Sequence, residues 1–255
     1  MSNASTRSNE FIYGIWPVIE ALRAGTEIEK LLLQSGVRSP QLSEIMGLAK
    51  RLSVPFQWVP PEKLNRITRK NHQGVIAFMA SVEYQKIEHL LPLLFEAGID
   101  PFLLLLDKIT DVRNIGAIAR TAEAAGVHAL LIPARGSALI GADAVKASAG
   151  ALTRINICRE DNLKDTIGLL KESGVKVVAI SEKTDRLIWH SDLKGPIALL
   201  LGSEDQGVSP AYLELADEKL SIPMLGEIRS LNVSVAAGIA CYEVVRNRMH
   251  LPSVE

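Results

Sequence analysis

Residues 221–249 have the sequence SIPMLGEIRSLNVSVAAGIACYEVVRNRM, and the rest of the chain is organised around this stretch. The pattern predicts a strand end at 221–223, a flexible connection at 224–229, a polar helix start at 230–232 and a helix over 233–248. Ser and Asn suit such a start because their side chains accept hydrogen bonds from first-turn amides. The small residues at 236–240 allow a large group to approach the helix backbone. This pattern is typical of a ligand site in an α/β domain, and an ordinary terminal helix explains it equally well.

Apolar strands alternate with helical patterns throughout the region that begins at residue 101. Strands are predicted at 102–106, 129–132, 155–158, 175–180, 197–201 and 220–222. Near-continuous apolar strands separated by helices indicate a parallel sheet that is covered on both faces. Ligands of such sheets bind beyond the carboxyl ends of the strands. We therefore expect the loops 107–113, 202–209 and 221–232 to converge on one rim.

The first part of the chain predicts a smaller α/β domain over residues 11–83. Helices at 16–24, 40–52 and 62–67 are expected to alternate with strands at 30–34, 56–59 and 75–81. The helical stretch 87–97 contains Pro92, which would kink it, so we interpret 84–100 as a linker. Residues 1–10 are interpreted as a disordered segment with an expression-tag remnant. The larger domain is expected to occupy residues 101–255.

The composition is that of an ordinary soluble globular protein, with 47% hydrophobic and 22% charged residues and a net charge of −1. No apolar run is long enough for a membrane span and no signal peptide is evident, so a cytoplasmic location is expected. The near-zero charge gives no whole-molecule indication of nucleic acid binding. Residues 1–83 nevertheless carry ten Lys and Arg against seven Asp and Glu. A basic cluster in this part could contact RNA, or simply be a solvated loop; it comprises Arg66, Arg69, Lys70 and His72.

The cysteines and histidines give no pattern of a reactive or metal site. Cys158 and Cys241 are far from each other in sequence, and we expect buried free thiols. The histidines are scattered at 72, 89, 128, 190 and 250. Neither a metal site nor a Ser-His-acid triad is therefore predicted.

Arg120 is the most prominent candidate for anion binding. It follows Gly116 by four residues in a predicted helix that has Asn114 as its N-cap. Because helical side chains lean towards the N-terminus, Arg120 is expected to lie over Gly116 and reach the loop before the helix. There it could hold a phosphate or carboxylate with several donors. A surface ion pair with Glu123, or with a neighbouring element, is the alternative.

The loop 202–209 follows an apolar strand and contains glycines with the spacing of a P-loop. Val208 stands where that motif requires Lys, so a P-loop is excluded. We expect Gly202 and Gly207 to let the backbone approach a ligand closely. Glu204 would then be a fixed negative charge of the site, or alternatively an ordinary loop acid.

Three segments together resemble a known family. They are NIGAIAR at 114–120, LLLGSEDQGV at 199–208 and IPMLGEIRSLNVSVA at 222–236. In order and spacing they resemble the motifs of the SpoU (TrmH-type) branch of SPOUT RNA methyltransferases. The segments YGIWPVIEAL at 13–22 and NHQGVIA at 71–77 are similar to the L30e-like substrate-binding domain of the RlmB-like rRNA subgroup.

The resemblance implies a C-terminal α/β-knot (trefoil) domain and S-adenosylmethionine-dependent 2'-O-ribose methylation of rRNA, at a guanosine of 23S rRNA. It also implies a homodimer whose interface packs the C-terminal helices and completes each site. The catalytic residues that it implies are Arg120, Asn114, Glu204, Ser230 and Asn232. The cofactor-binding residues that it implies are Gly202, Ile222 and Leu231.

Arg120 is often given the role of general base in this family. A guanidinium stays protonated under ordinary conditions. We therefore expect Arg120 mainly to bind the target phosphate and to stabilise negative charge that develops on the 2'-oxygen. A tRNA 2'-O-ribose methyltransferase, and an RNA-binding protein with an inactive transferase site, are the alternatives.

Overall fold

The computed structural model describes residues 11–227 and 230–249 and divides the chain into two compact units. Of the described residues, the first unit comprises 11–83 with 140–142, and the second comprises 84–139, 143–227 and 230–249. The segment 1–10, interpreted above as disordered, lies outside the described residues.

The first unit is a mixed four-stranded sheet with helices on both faces. Its elements are β1 (Phe11–Tyr13), α1 (Ile15–Arg23), β2 (Ile28–Gln34), α2 (Pro40–Arg51), β3 (Phe56–Val59), α3 (Pro61–Ile67) and β4 (Val75–Met79). The strand order is β1-β4-β2-β3, in which β2 and β3 are parallel and the other neighbours antiparallel. Helices α1 and α2 pack on one face, where Leu31 and Leu33 are buried. Helix α3 packs on the other face over Leu32 and Val59.

Side-chain caps explain where two helices of this unit begin. Ser39 starts α2, as the sequence predicted, because its Oγ accepts a hydrogen bond from the Leu42 amide at 3.1 Å. Helix α1 has Gly14 at its N-cap position, which offers no side chain. The Oε1 atom of Gln73 accepts from the Ile15 amide at 3.0 Å instead. A residue 58 positions away in sequence therefore caps α1.

The second unit is built on a seven-stranded sheet in which every neighbouring pair is parallel. Its elements are β5 (Tyr84–Gln85), α4 (Ile87–Glu96), β6 (Phe102–Leu106), α5 (Val112–Ala124), β7 (Ala129–Pro133), α6 (Ala142–Ala147), β8 (Asn156–Glu160), α7 (Leu163–Glu172), β9 (Lys176–Ile180), β10 (Ile197–Leu201), α8 (Pro210–Leu213), β11 (Glu218–Leu220) and α9 (Val233–Arg248). The strand order is β11-β9-β10-β6-β7-β8-β5. The α/β fold class and the parallel sheet predicted from the sequence are confirmed.

The central strands β6 and β10 explain the continuous apolar runs in the sequence. All five residues of each strand are buried, because both faces of the sheet are covered. The two strands pair in register, with Leu106 opposite Leu201. The loops that follow them therefore begin side by side. The last strand is displaced from the predicted 220–222, because Ser221 already forms an isolated bridge with Leu187.

The interpretation of residues 84–100 as a linker is wrong. Strand β5 pairs with β8 at the edge of the large sheet, and α4 runs through Pro92. The apolar face of α4 is buried in the core of the second unit, and it comprises Ile87, Leu90, Leu91 and Leu94. The Oε1 atom of Glu160 accepts from the Ile87 amide at 2.9 Å and so caps this helix. The apolar residues recur every three or four positions, and their burial outweighs the hydrogen bond that Pro92 cannot make.

Candidate active site

A pocket of about 390 Å³ lies at the carboxyl ends of β9 and β10. Three chain segments line it: residues 180–183 from the end of β9, residues 201–207 from the end of β10, and parts of 222–236. The second and third were predicted from the sequence, whereas 180–183 was missed. The segment 180–183 has the same sequence feature as the other two loops, because Ser181 and Glu182 are polar residues directly after an apolar strand. The sequence could not show that β9 and β10 are neighbours.

Gly202 is required by the loop itself rather than by a ligand. A Cβ atom at Gly202 would lie 2.0 Å from the carbonyl carbon of Gly207 and 2.1 Å from the amide nitrogen of Val208. Gly207 has a φ of +67°, a left-handed conformation that favours glycine. Its amide donates to the Ser203 carbonyl at 2.8 Å and closes the turn. The backbone at Gly202 does make the expected close approach, but it approaches the backbone of its own loop.

A hydrogen-bond network connects three predicted catalytic residues at the rim of this pocket. The Nδ2 atom of Asn114 donates to Oε1 of Glu204 at 3.1 Å. The Nδ2 atom of Asn232 donates to Oδ1 of Asn114 at 3.1 Å and also to Oε1 of Glu204. Glu204 itself lines the pocket. The structure therefore brings together residues from all three predicted motifs, and Glu204 is not an unattached loop acid.

Asn114 makes this contact because it is not the N-cap of its helix, as the sequence had suggested. Asp111 is the N-cap of α5, and its Oδ1 atom accepts from the Arg113 amide at 2.7 Å. Asn114 lies in the first turn, so its amide is free to reach across to Glu204. Asn232 does cap α9, since its Oδ1 atom accepts from the Ser234 amide at 2.9 Å.

Arg113 places a positive charge beside this network. Its guanidinium donates to Oδ2 of Asp111 at 2.9 Å, and these hydrogen bonds lower the pKa of the Asp111 carboxyl. The Asp111 carboxylate in turn raises the pKa of Arg113, with a smaller contribution from Glu204. Sequence reasoning did not single out Arg113, because nothing in its spacing distinguishes it from an ordinary loop arginine.

Arg120 is exposed on α5 and does not line the pocket. Gly116 does not leave the open space that the sequence suggested for the Arg120 side chain, because Ala147 packs there. A Cβ atom at Gly116 would come within 2.5 Å of the Ala147 Cβ atom. The alternative partner, Glu123, is 3.9 Å from Arg154 instead. Within residues 11–227 and 230–249, the Arg120 guanidinium has neither an ion pair nor a hydrogen bond.

The remaining predicted residues fall into two groups. Ser230 and the three predicted cofactor residues, Gly202, Ile222 and Leu231, all line the pocket. In the first unit the basic residues Arg66, Arg69 and Lys70 are exposed.

His72, by contrast, is buried. Its Nδ1 atom accepts from the Gly74 amide at 3.0 Å, and its Nε2 atom lies 3.0 Å from Oδ1 of Asn65. His72 holds a turn and is corrected from an RNA contact to a structural residue.

The small residues of α9 have two different neighbours. Ala236 lines the pocket. A Cβ atom at Gly238 would lie 3.5 Å from Cγ2 of Thr121, so α5 packs closely against α9 there. The close approach predicted from these residues therefore serves helix packing as well as the pocket.

Cys158 and Cys241 are free and buried, as predicted. Burial raises the pKa of each thiol to about 12. In the part of the chain that the structure describes, no three His, Cys, Asp or Glu side chains are grouped as a metal site would need. None of the described helices is both long and apolar enough to cross a membrane.

Comparison with known proteins identifies the family. The sequence pattern of the SpoU rRNA methylase family matches residues 101–242. The chain belongs to this family. The pattern described as RNA 2'-O ribose methyltransferase substrate binding matches residues 11–85. The SpoU protein is therefore an RNA 2'-O-ribose methyltransferase with a separate substrate-binding unit.

Two relatives of this SpoU enzyme are similar over nearly the whole chain, and a third is similar over 58% of it. The Bacillus subtilis (strain 168) protein YacO, whose name assigns it to the TrmH family of tRNA/rRNA methyltransferases, is 35% identical over 243 residues, 95% of this chain and 98% of YacO. The AdoMet-bound rRNA methyltransferase from Sinorhizobium meliloti is 27% identical, with a TM-score of 0.58, over 94% of this chain and 87% of that one. The TrmH/SpoU tRNA modifying enzyme of A. aeolicus is 34% identical, with a TM-score of 0.53, over 58% of this chain and 75% of that one.

Proposed function

We propose that this SpoU enzyme transfers the methyl group of S-adenosylmethionine to a ribose 2'-hydroxyl of rRNA, at a guanosine of 23S rRNA. The observation that carries the proposal is the pocket at the ends of β9 and β10, whose rim holds the Asn114, Glu204 and Asn232 network. The rRNA methyltransferase described above is similar over 94% of this chain, whereas the tRNA enzyme is similar over 58%. This difference favours rRNA over tRNA. We expect the enzyme to act in the cytoplasm.

The residues of the pocket fit S-adenosylmethionine in size and charge. Its volume of about 390 Å³ lies within the usual range for small-molecule sites. Three carboxylates, of Glu182, Glu204 and Asp205, line it with one lysine, Lys183. This excess of negative charge suits a ligand with a net positive charge. The apolar walls and the backbone at Gly202, Ile222 and Leu231 would hold its adenosine and methionine parts.

When bound, S-adenosylmethionine supplies an electrophilic methyl group on a positively charged sulfur. The protein has to align the weakly nucleophilic 2'-hydroxyl with that methyl group and to stabilise charge on the 2'-oxygen. Asn114, Asn232 and Ser230 would position the ribose around the Glu204 carboxylate. Arg120 would hold the target phosphate with its fork of donors and stabilise the developing negative charge.

Arg120 can fill this role if the enzyme is a homodimer. Its guanidinium is exposed and lies outside the pocket of its own chain. Helix α9 also exposes apolar side chains, with Val235 49% and Tyr242 53% exposed. We propose that the C-terminal helices of two subunits pack together over this surface, and that Arg120 of each subunit serves the pocket of the other.

Two measurements test the function. Calorimetry with S-adenosylmethionine is expected to give one binding event per chain, and no binding would favour an RNA-binding protein with an inactive site. Mass-spectrometric mapping of ribose methylation in a deletion strain is expected to find one mark missing from 23S rRNA. If the missing mark were in tRNA, the chemistry would stand and the substrate assignment would be wrong.

A further inference from the structure

Three aromatic side chains lie side by side on one face of the four-stranded sheet in the first unit. Phe11 on β1 pairs in register with Phe78 on β4, and their ring centroids are 6.0 Å apart. The Tyr13 ring is 6.2 Å from the Phe11 ring. We call Phe11, Tyr13 and Phe78 the aromatic face.

The aromatic face is only partly covered. Helix α3, the helix that packs on this side of the sheet, is seven residues long. Its buried Leu64 forms one cluster with Leu32, Val59 and Ile76, and the three rings of the aromatic face pack against this cluster. Phe11, Tyr13 and Phe78 are half-buried on β1 and β4 and keep part of their rings accessible. Partly accessible rings in a row are a surface on which planar groups can stack.

Lysines surround the aromatic face. Phe78 on β4 lies between two register partners, Phe11 on β1 and Lys30 on β2. The Nζ atom of Lys70 lies 6.0 Å from the centroid of the Tyr13 ring. Lys63 on α3 is close enough to Lys30 for the two positive charges to repel each other. The pKa of Lys30 is lowered, first by burial and then by the charge of Lys63.

These lysines have no acidic partners within the described ranges 11–227 and 230–249. None of Lys30, Lys63 and Lys70 has an ion pair there. Arg66 and Arg69, which are exposed on and just after α3, add to the positive charge of this region. Holding like charges together without a counter-charge is unfavourable, and an anionic ligand relieves it. Stacking rings combined with unpaired cations are what single-stranded nucleic acid requires.

We propose that the aromatic face binds a single-stranded segment of the substrate RNA, with bases stacked on Tyr13 and its neighbours and phosphates contacting Lys30, Lys63 and Lys70. The inference rests on the proposed function, because it takes RNA as the substrate. It goes further in naming the surface and in placing single-stranded RNA there rather than duplex. A duplex would not offer its base faces to the rings.

Fluorescence polarisation of a short labelled oligouridylate with the full chain tests the proposal. The triple variant Lys30→Gln, Lys63→Gln, Lys70→Gln is expected to bind the oligouridylate roughly tenfold or more weakly. The slope of the logarithm of the binding constant against the logarithm of the salt concentration should become less steep by about 0.7 for each lysine removed. Tyr13→Leu should weaken binding roughly fivefold or more, because each stacked base contributes that much or more. Tyr13→Phe keeps the ring and is expected to retain most of the affinity.

Matched controls lie on the other side of the same sheet. Lys50→Gln removes one exposed lysine in the last turn of α2. Trp58→Leu removes an aromatic side chain that is 41% exposed and lines a groove with Leu42 and Met46 of α2. Neither is expected to change the affinity. If Trp58→Leu weakened binding while Tyr13→Leu did not, the RNA would lie in the α2 groove and the proposal would be overturned.

Two further measurements separate the remaining outcomes. Deletion of residues 2–10 is expected to leave the RNA affinity unchanged. If the deletion raised the RNA affinity strongly while the lysine variant kept its RNA affinity, the aromatic face would be a site for the chain's own N-terminal segment. The lysine variant should also keep the S-adenosylmethionine affinity of the wild type. Unchanged RNA binding in that variant would overturn this inference alone, whereas a wild type without cofactor binding would overturn the proposed function alone.

Discussion

The side-chain amide of Asn114 donates a hydrogen bond of 3.1 Å to the carboxylate of Glu204, which lies 90 residues away in sequence. The contact exists because β6 and β10 are parallel neighbours, so that the chain leaves both strands at the same edge of the sheet. Asn232, 28 residues beyond Glu204, joins them from the start of α9. This relationship ties the three motifs of the SpoU family to one place.

Removal of the shared carboxylate should impair catalysis. Glu204→Ala is expected to lower the rate of methyl transfer about tenfold or more, because hydrogen bonds to charged groups are worth roughly 1.5–3 kcal/mol. In a double-mutant cycle with Asn114→Ala, we expect a coupling free energy of about 1 kcal/mol. Single-turnover rates with labelled cofactor measure both. Asp205→Asn is the control, and equal losses there would show that only the loop's charge matters.

Gly202→Ala should disrupt the pocket by unfolding its loop. The added methyl group would lie 2.0 Å from the Gly207 carbonyl carbon. Overpacking of this kind costs roughly 1–3 kcal/mol or more, so we expect a lower Tm and loss of S-adenosylmethionine binding. Gly168→Ala on α7 is the matched control, because a Cβ atom there meets nothing within 4 Å. That variant should gain up to about 1 kcal/mol from helix propensity. A stable Gly202→Ala protein with normal binding would contradict the close backbone contact.

Arg120 is proposed to act across the dimer, and subunit mixing can test this. As homodimers, Arg120→Ala is expected to be nearly inactive and Glu204→Ala to keep about a tenth of the wild-type activity or less. In a coexpressed mixture, half of the dimers would be mixed and each would contain one intact site, so about a quarter of the wild-type activity should return. Failure to recover activity from purified mixed dimers would place Arg120 at the pocket of its own chain. Arg120→Lys, which keeps the charge but loses the fork, should remain impaired.

Helix α4 should behave as core rather than as a connection. Leu91 is buried in the core of the second unit, whereas Leu93 on the same helix is 60% exposed. Leu91→Ala is expected to lower the free energy of unfolding by roughly 2–5 kcal/mol. Leu93→Ala should change it by less than about 0.5 kcal/mol. Urea denaturation measures both, and equal small effects would restore the linker interpretation.

The buried thiols should make stability depend on pH in the alkaline range. Burial raises the pKa of Cys241 to about 12 from a reference of 9.0. The folded state then binds more protons than the unfolded state between these values, so its stability is complete below pH 9 and falls as pH rises towards 12. Cys241→Ala should flatten this fall in urea titrations. Both thiols should also resist alkylation at pH 8 until the protein is denatured. Rapid labelling of the native protein would contradict their burial.

Most of the fold could be predicted from local patterns. Apolar runs such as 102–106 and 197–201 are long enough and pure enough to be buried strands, and their boundaries agree with β6 and β10. The N-caps Ser39 and Asn232 act within a few residues of their helices, so the sequence marks them directly. The predictions were wrong where tertiary packing outweighed a local sequence rule. Pro92 indicated a linker, but burial of the α4 face decided the structure.

The sequence by itself determined the parallel α/β class, most strand positions and which residue types of the motifs carry chemistry, because these depend on periodicity and on side-chain chemistry. Only the tertiary structure decided that β9 is the neighbour of β10, and hence that residues 180–183 complete the pocket. It also decided that Ala147 fills the space over Gly116 and that Glu204 accepts hydrogen bonds from Asn114 and Asn232. Strand order and such contacts join residues far apart in the chain, and local sequence patterns carry no information about distances of that kind.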